Sequence, residues 1–133
     1  PFVRELTCVE HLIKWIVCSI HKEPVRAVET LNALLQEVPD AVVIAYVGRS
    51  NGAGPTLSAL STVPVITVPA SMEKFHEDVW SSLRGPSNVP VMTVLEPANA
   101  ALAALQILSA RNPSVYAVVR GGIEKRLLNR IAL

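Results

Sequence analysis

The sequence predicts one three-layer α/β/α domain with a doubly wound parallel sheet, spanning residues 1–133. The main observation is that the hydrophobic period switches repeatedly between that of a strand and that of a helix, with short connections between the segments. The second is the composition, because a chain of 133 residues that is 50% hydrophobic and 17% charged can bury the core of one domain. The predicted arrangement is flavodoxin-like or Rossmann-like.

Short apolar runs predict the strands, and segments with helical spacing, several of them opened by proline, predict the helices. The predicted strands are residues 11–18, 41–47, 63–68 and 89–95. The predicted helices are residues 24–38, 56–60, 75–83, 98–110 and 113–133. Residues 2–9 have the pattern of the last turns of an amphipathic helix. A doubly wound domain normally has a strand before that helix, so we expect the first strand to be missing from this chain.

Charge and hydropathy exclude several classes of protein. The net charge is +1, from 12 basic and 11 acidic residues, and no basic run is interleaved with aromatic residues, so we expect no nucleic-acid partner. The longest apolar run, Ala98–Ala110, is interrupted by Asn99 and Gln106, so no membrane span is expected. Arg4 and Glu5 stand where the apolar part of a signal peptide would begin, and a cytoplasmic protein is therefore predicted.

The two cysteines, Cys8 and Cys18, have neither the spacing of a metal site nor that of a secreted disulfide framework. We interpret them as reduced thiols, and no metal is predicted. The high apolar content leaves little polar sequence to cover the surface of a small monomer. It indicates either an oligomer or a part of a larger protein.

The segment Gly48–Pro55 (GRSNGAGP) is the first candidate for a ligand-binding loop, because loops that follow the strands of a parallel sheet are where ligands bind. Glycine lets a backbone approach a ligand, and Asn51 tolerates left-handed dihedral angles. Ser50 offers a hydrogen-bond donor, and Arg49 offers a planar fork for an anion. The candidate binding residues of the loop are Gly48, Arg49, Ser50, Asn51 and Gly52. The segment matches neither a Walker A nor a dinucleotide loop. A tight strand-to-helix turn remains the alternative.

Ser19, His21 and Lys22 follow the first predicted strand and form the second candidate loop. A histidine there can move a proton near neutral pH, and the neighbouring lysine can hold a carboxylate or phosphate. The alternative is that these are ordinary polar residues at a strand end. The other histidines have no such setting, since His11 is interpreted as a strand-edge residue and His76 as a helix-surface residue.

Several segments together resemble the class II aminoimidazole ribonucleotide carboxylases. They are GRSNGAGP after an apolar strand, then PVI, DVWSSLR and VLEPANAALAALQIL, in the order that the family has them. The segment CSIHK at Cys18–Lys22 is similar to the Ser-Ala-His-Lys loop of the family. The resemblance covers roughly residues 10–133.

The resemblance implies a role in purine biosynthesis, in which carbon dioxide is added directly to the imidazole ring of aminoimidazole ribonucleotide without a cofactor. His21 falls on the proton-transfer histidine of the family, and Lys22 falls on the cation that faces the new carboxylate or the nucleotide. Ser19 precedes them as in the family. Ser50, with the loop amides around it, falls where the family holds carbon dioxide.

The resemblance also implies partners. The small-molecule partners are the nucleotide substrate and carbon dioxide, the family assembles as a homo-octamer, and the animal enzymes carry a fused SAICAR synthetase domain. The Ala98–Ala110 helix is the expected packing surface of the octamer. Asp78, Ser81 and Ser82 match DVWSSLR, which is expected to pack at a subunit contact close to the site.

The chain departs from the family pattern in a few places. No Gly-Ser-x-Ser-Asp phosphate loop occurs in it, Ser58-Ala59-Leu60 stands for Ser-Gly-Asn, and Ile20 stands for alanine. Gly85-Pro86-Ser87-Asn88 stands where the family has Leu/Met-Pro-Ser-Gly. These differences leave an alternative function open, a catalytically inactive family member that serves as an oligomerisation scaffold or a nucleotide-binding module.

Overall fold

Three parallel strands form the central sheet of the computed structural model, which describes residues 13–131. They are β1 (Val43–Val47), β2 (Val65–Pro69) and β3 (Val91–Thr93), in the order β1-β2-β3. Ala45 pairs with Thr67, and Thr67 pairs with Thr93. All five residues of β2 are buried, as expected for the middle strand of a sheet that is covered on both faces.

Five α-helices surround the sheet in the described part of the chain. They are α1 (Pro24–Glu37), α2 (Ala53–Leu60), α3 (Val79–Leu83), α4 (Pro97–Ser109) and α5 (Pro113–Ile131), with a 3₁₀ turn at His76–Asp78 just before α3. Proline occupies the beginning of α1 and of α4, where its missing N–H costs no helical hydrogen bond. The order of elements is that of an α/β domain.

The helices lie on opposite faces of the sheet because neighbouring side chains of a strand point in opposite directions. Ile66 and Val68 of β2 pack against Ala100 and Ala104 of α4. Thr67, between them in sequence, points to the other face, where α2 passes close to it at Gly54. The predicted three-layer α/β/α architecture with a parallel sheet is therefore confirmed.

Helix α4 uses two of its faces inside the chain. Its small residues Ala100 and Ala104 allow it to lie close to the sheet, while Leu105 packs against Val115 of α5 in a second cluster. The sequence predicted that the alanine-rich helix packs between subunits. In the structure, its most buried residues pack on the sheet and on α5.

The predicted strand at residues 11–18 is wrong over its described part. Residues 13–18 have no regular secondary structure, and among the described residues no backbone hydrogen bond joins them to a neighbouring strand. Trp15 is 90% exposed and Val17 is 93% exposed. Isoleucine, valine and tryptophan favour a strand only when a partner strand supplies hydrogen bonds and packing, which explains the failed prediction.

The other predicted elements are present with shifted ends. Helix α2 starts three residues before the predicted residue 56, and β3 is shorter than the predicted segment 89–95. The predicted helix at 75–83 is divided into the 3₁₀ turn and α3. The predicted helix at residues 2–9 and His11 lie outside the described residues, and so do the last two residues of the predicted C-terminal helix.

Ile66 is 1% exposed and should be a main contributor to the core. We expect Ile66→Ala to lower the free energy of unfolding by about 3 kcal/mol, because it removes buried methyl groups and leaves a cavity. Val25→Ala on α1 is a suitable control, since Val25 is 67% exposed and its truncation should change stability by less than about 0.5 kcal/mol. Urea denaturation of both variants measures the difference. Equal stabilities would contradict the placement of Ile66 in the core.

Candidate functional site

The loop between β1 and α2 has an unusual backbone conformation at Ser50. Its φ angle is 59°, in the left-handed region that non-glycine residues rarely adopt. The Ser50 N–H donates to both carboxylate oxygens of Asp78, each at 2.9 Å. Hydrogen bonds to a charged acceptor are stronger than those between neutral groups, and they stabilise the strained conformation here.

Asn51 is directed into the protein and is 7% exposed. Its backbone N–H donates to Ser81 Oγ at 2.9 Å, and its side-chain Nδ2 donates to Ser82 Oγ at 3.1 Å. Its Oδ1 accepts the N–H of Gly54 at 2.8 Å, which satisfies one of the otherwise unpaired N–H groups in the first turn of α2. Asn51 was predicted to bind substrate, and in the structure it holds the loop in place.

The same polar contacts continue from the loop into the sheet. The carbonyl of Ser82 accepts a hydrogen bond from Thr93 Oγ1 at 2.7 Å, and the hydroxyls of Thr93 and Thr67 lie 3.1 Å apart. Buried polar groups that are fully hydrogen-bonded in this way specify one arrangement of their elements. The loop is thus tied through α3 to β3 and β2.

Asp78, Ser81 and Ser82 are hydrogen-bonding neighbours of the loop that were not expected from the sequence to contact it within one chain. They were expected at a contact between subunits, whereas in the structure all three bond to residues 50–51 of the same chain. The available signal was the polar spacing in DVWSSLR, which places an aspartate and two serines on one short helical segment. Their partners lie about thirty positions away, which spacing alone does not reveal.

The second loop lies against the first. The carbonyl of Ser19 accepts the N–H of Lys22 at 3.1 Å and that of Glu23 at 2.7 Å, which closes a turn that presents His21 and Lys22 to solvent. A Cβ atom built on Gly52 would lie 2.6 Å from Nε2 of His21, so the imidazole ring rests on the glycine backbone. The structure therefore brings together His21 and the GRSNGAGP loop.

Two charged groups at the rim are engaged by neighbours. The guanidinium of Arg49 lies 4.8 Å from the centroid of the Phe75 ring, a cation–π contact that holds it on the outside of the loop. Arg26 donates to Glu23 at 2.6 Å, and this hydrogen bond lowers the pKa of the Glu23 carboxyl. A lowered pKa means that Glu23 stays ionised beside the Ser19–Glu23 turn.

The glycines of the loop have different roles. Gly54 must lack a side chain, because a Cβ atom there would overlap Cγ2 of Thr67. Gly52 leaves room for His21, as described above. Gly48 has no atom within 4 Å of its hypothetical Cβ and no positive φ, so nothing in the described residues requires glycine there.

Ser50, His21 and Lys22 are exposed residues of the two loops that meet at Gly52. They can donate hydrogen bonds, and the histidine can also accept a proton. Within residues 13–131, no group of three or more His, Cys, Asp or Glu side chains is arranged to hold a metal ion. None of the described helices has the length and apolar character needed to cross a membrane.

A three-layer parallel α/β fold with polar groups at the carboxyl ends of its strands is typical of domains that bind small ligands at that edge. The profile of the AIR carboxylase family matches residues 4–126 of the chain. The chain therefore belongs to the AIR carboxylase family.

Individual relatives agree with this. A mouse bifunctional phosphoribosylaminoimidazole carboxylase/phosphoribosylaminoimidazole succinocarboxamide synthetase is 40% identical over 111 residues, which are 80% of this chain and 25% of the mouse protein. A phosphoribosylaminoimidazole carboxylase of Archaeoglobus fulgidus is 37% identical over 100 residues, covering 74% of this chain and 54% of that protein. The chain thus spans about a quarter of the animal relative and about half of the archaeal one.

The fold is also that of a solved structure. The crystal structure of Treponema denticola PurE superimposes with a TM-score of 0.81 and 29% sequence identity, over 98% of this chain and 84% of that chain. This similarity supports the flavodoxin-like arrangement predicted from the sequence.

The contact between His21 and Gly52 can be tested directly. We expect Gly52→Ala to displace the imidazole ring, because the new methyl group would lie only 2.6 Å from Nε2, closer than two non-bonded atoms can approach. The displacement should change the ¹H and ¹³C chemical shifts of the His21 ring in NMR spectra. Gly48→Ala is the matched control, since its methyl group has free space and should leave the His21 signals unchanged. Unchanged His21 signals in both variants would show that the ring does not lie on Gly52.

Proposed function

We propose that this chain is a carboxylase domain of purine biosynthesis, which adds carbon dioxide to aminoimidazole ribonucleotide and forms carboxyaminoimidazole ribonucleotide. The observation that carries the proposal is the contact of His21 with the GRSNGAGP loop at Gly52. It joins the proton-transfer group and the carbon dioxide loop that the family resemblance assigns. The membership of the chain in the AIR carboxylase family supports the same reaction.

The reaction requires a nucleophilic ring carbon, a held molecule of carbon dioxide and a base. The ring carbon attacks the carbon of carbon dioxide, a carbon–carbon bond forms, and the electron pair of one C=O bond moves to oxygen and gives a carboxylate. The proton on the attacked ring carbon then leaves. His21 is the proposed acceptor of that proton, because a histidine can exchange protons near neutral pH.

The remaining exposed groups suit the developing negative charge. Lys22 is exposed directly after His21 and supplies a positive charge that can face the new carboxylate or the nucleotide. The Ser50 hydroxyl can donate to a carboxylate oxygen, and preorganised donors of this kind stabilise charge as it forms. The backbone amides of Ser50 and Asn51 are already used within the chain, so the proposal assigns the contact to the Ser50 side chain rather than to those amides. Ser19, Gly48, Arg49, Asn51 and Gly52 remain proposed substrate-binding positions.

The positions at which this chain differs from the family do not favour the alternative of an inactive family member. Leu60 is exposed at the last position of α2, opposite to the end at which the loop enters that helix. Asn88, where the family has glycine, has a φ angle of 63°, a left-handed conformation that asparagine tolerates better than most residues. Both substitutions are compatible with the geometry of the site.

We further propose that the domain acts in the cytoplasm as part of a homo-oligomer, with a SAICAR synthetase domain as a functional partner. The names of the mouse and human relatives combine a carboxylase with a succinocarboxamide synthetase. Exposed apolar side chains, among them Trp15, Val17 and Leu128, are available for contacts between chains.

The role of His21 is tested by His21→Asn, which keeps a polar side chain of similar size but cannot accept a proton. We expect kcat for carboxylation of aminoimidazole ribonucleotide to fall by about 10²–10⁴-fold, the usual contribution of a general base. His76→Asn is the control, because His76 is exposed on the 3₁₀ turn and has no assigned role. Steady-state kinetics at saturating carbon dioxide give the comparison.

Unimpaired carboxylation by the His21→Asn variant would refute the proton-transfer role. Binding of aminoimidazole ribonucleotide by the unaltered protein without any product would favour the nucleotide-binding module instead. Calorimetry and product analysis on the same samples distinguish these outcomes.

Self-association is tested by light scattering coupled to size-exclusion chromatography. We expect a mass several times that of one chain, and eight chains if the assembly is that of the family. The physical reason is that the exposed apolar side chains become buried between copies. A mass of one chain, 14.3 kDa, over a wide concentration range would contradict the proposal.

A further inference from the structure

The carboxylate of Asp78 is hydrogen-bonded through both of its oxygens to one backbone group of the candidate site. Both oxygens lie 2.9 Å from the amide nitrogen of Ser50, which is 28 positions away in sequence. Ser50 is held there with a φ angle of 59°. We propose that Asp78 is a positioning residue, which fixes the backbone of Ser50 so that its hydroxyl points where carboxylation requires it. The inference rests on the proposed function of the site.

The position of Asp78 in its own helix makes this use of the side chain informative. Asp78 is the N-cap residue of α3, where an aspartate usually accepts an N–H from the first turn of its helix. Its side chain makes no such capping bond. Both oxygens are directed to the loop instead, so the helix forgoes its usual cap while the loop gains a charged acceptor.

Asp78 is itself held firmly. Its N–H donates to the carbonyl of Phe75 at 3.0 Å, and its own carbonyl accepts the hydroxyl of Ser81 at 2.7 Å. Ser81 Oγ in turn accepts the N–H of Asn51 at 2.9 Å. Two consecutive amides of the loop are therefore bound by two side chains that lie one turn apart on the same segment. These hydrogen bonds fix the orientation of the loop backbone as well as its distance from the segment.

The consequence for chemistry concerns the Ser50 side chain. With its amide bonded to Asp78, the exposed hydroxyl is the group that Ser50 presents to solvent. The direction of a Cα–Cβ bond is set by φ and ψ, so a change from left-handed to ordinary backbone angles would turn the hydroxyl away. Misplacing a binding group by about 1 Å can slow catalysis about a hundredfold.

The test compares Asp78→Asn, Asp78→Glu and the control Glu77→Gln. Glu77 is an exposed acid next to Asp78 in the same 3₁₀ turn, so its neutralisation changes the net charge equally without touching the loop. Hydrogen exchange of the Ser50 amide, followed by NMR, reports the positioning without needing activity. Steady-state carboxylation kinetics report its effect on the reaction, and thermal melting verifies that each variant is folded.

We expect Asp78→Asn to accelerate exchange of the Ser50 amide at least tenfold and to lower kcat tenfold to a hundredfold, with less than a twofold change in KM for the nucleotide. Asp78→Glu keeps the charged acceptor, so its Ser50 exchange rate and its kcat should lie between those of Asp78→Asn and the unaltered protein. Glu77→Gln should match the unaltered protein in all readouts.

The inference would be overturned if the Ser50 amide of Asp78→Asn exchanged as slowly as in the unaltered protein. It would also be overturned if the amide exchanged faster but kcat stayed the same. An unaltered protein without carboxylase activity would refute the proposed function instead. In that case the exchange data would still decide whether Asp78 positions Ser50.

Discussion

The close approach of α2 to β2 at Gly54 is the constraint on which both the fold and the site depend. Because no side chain fits between Gly54 and Thr67, the first turn of the helix lies almost on the sheet. That contact determines where the preceding loop must leave β1 and where it must enter α2. Asn51 then closes the connection with its side-chain oxygen on the Gly54 amide. The strained residue Ser50 lies in the exposed part of this short connection, two residues before Gly52, where the second loop is in contact.

The site is assembled from segments that have little structure of their own. Helix α3 has five residues, and an isolated helix of that length is not stable in water. It is retained because Ser82 bonds to both the loop and β3, so that the helix is fixed by its neighbours on either side. The hydrogen bonds that hold the loop therefore also stabilise α3, so a change in one of these two elements affects the other.

Much of the fold could be predicted from the sequence, because the apolar runs of β1 and β2 and the prolines before α1 and α4 are local signals. The absence of a strand over residues 13–18 could not be predicted. A strand forms only beside a partner strand, and the composition of the segment does not show whether a partner is present. In the candidate site, His21, Lys22 and the GRSNGAGP loop were proposed from the sequence because they follow predicted strands. The inward direction of Asn51 and the bonds of Asp78 and Ser81 were not, because they depend on contacts that spacing does not encode.

The separation of those contacts along the chain determines when the site can form. Ser50 and Asn51 bond to side chains 28 to 31 positions further on, so the loop cannot take its final conformation until the segment after β2 has been added and has docked. Closing such a connection requires loop entropy to be lost before the bonds form. During synthesis, α1, β1 and α2 leave the ribosome before α3 does and can begin to collapse without a completed site. The loop therefore reaches its final conformation only after the segment that carries Asp78 and Ser81 has docked on it.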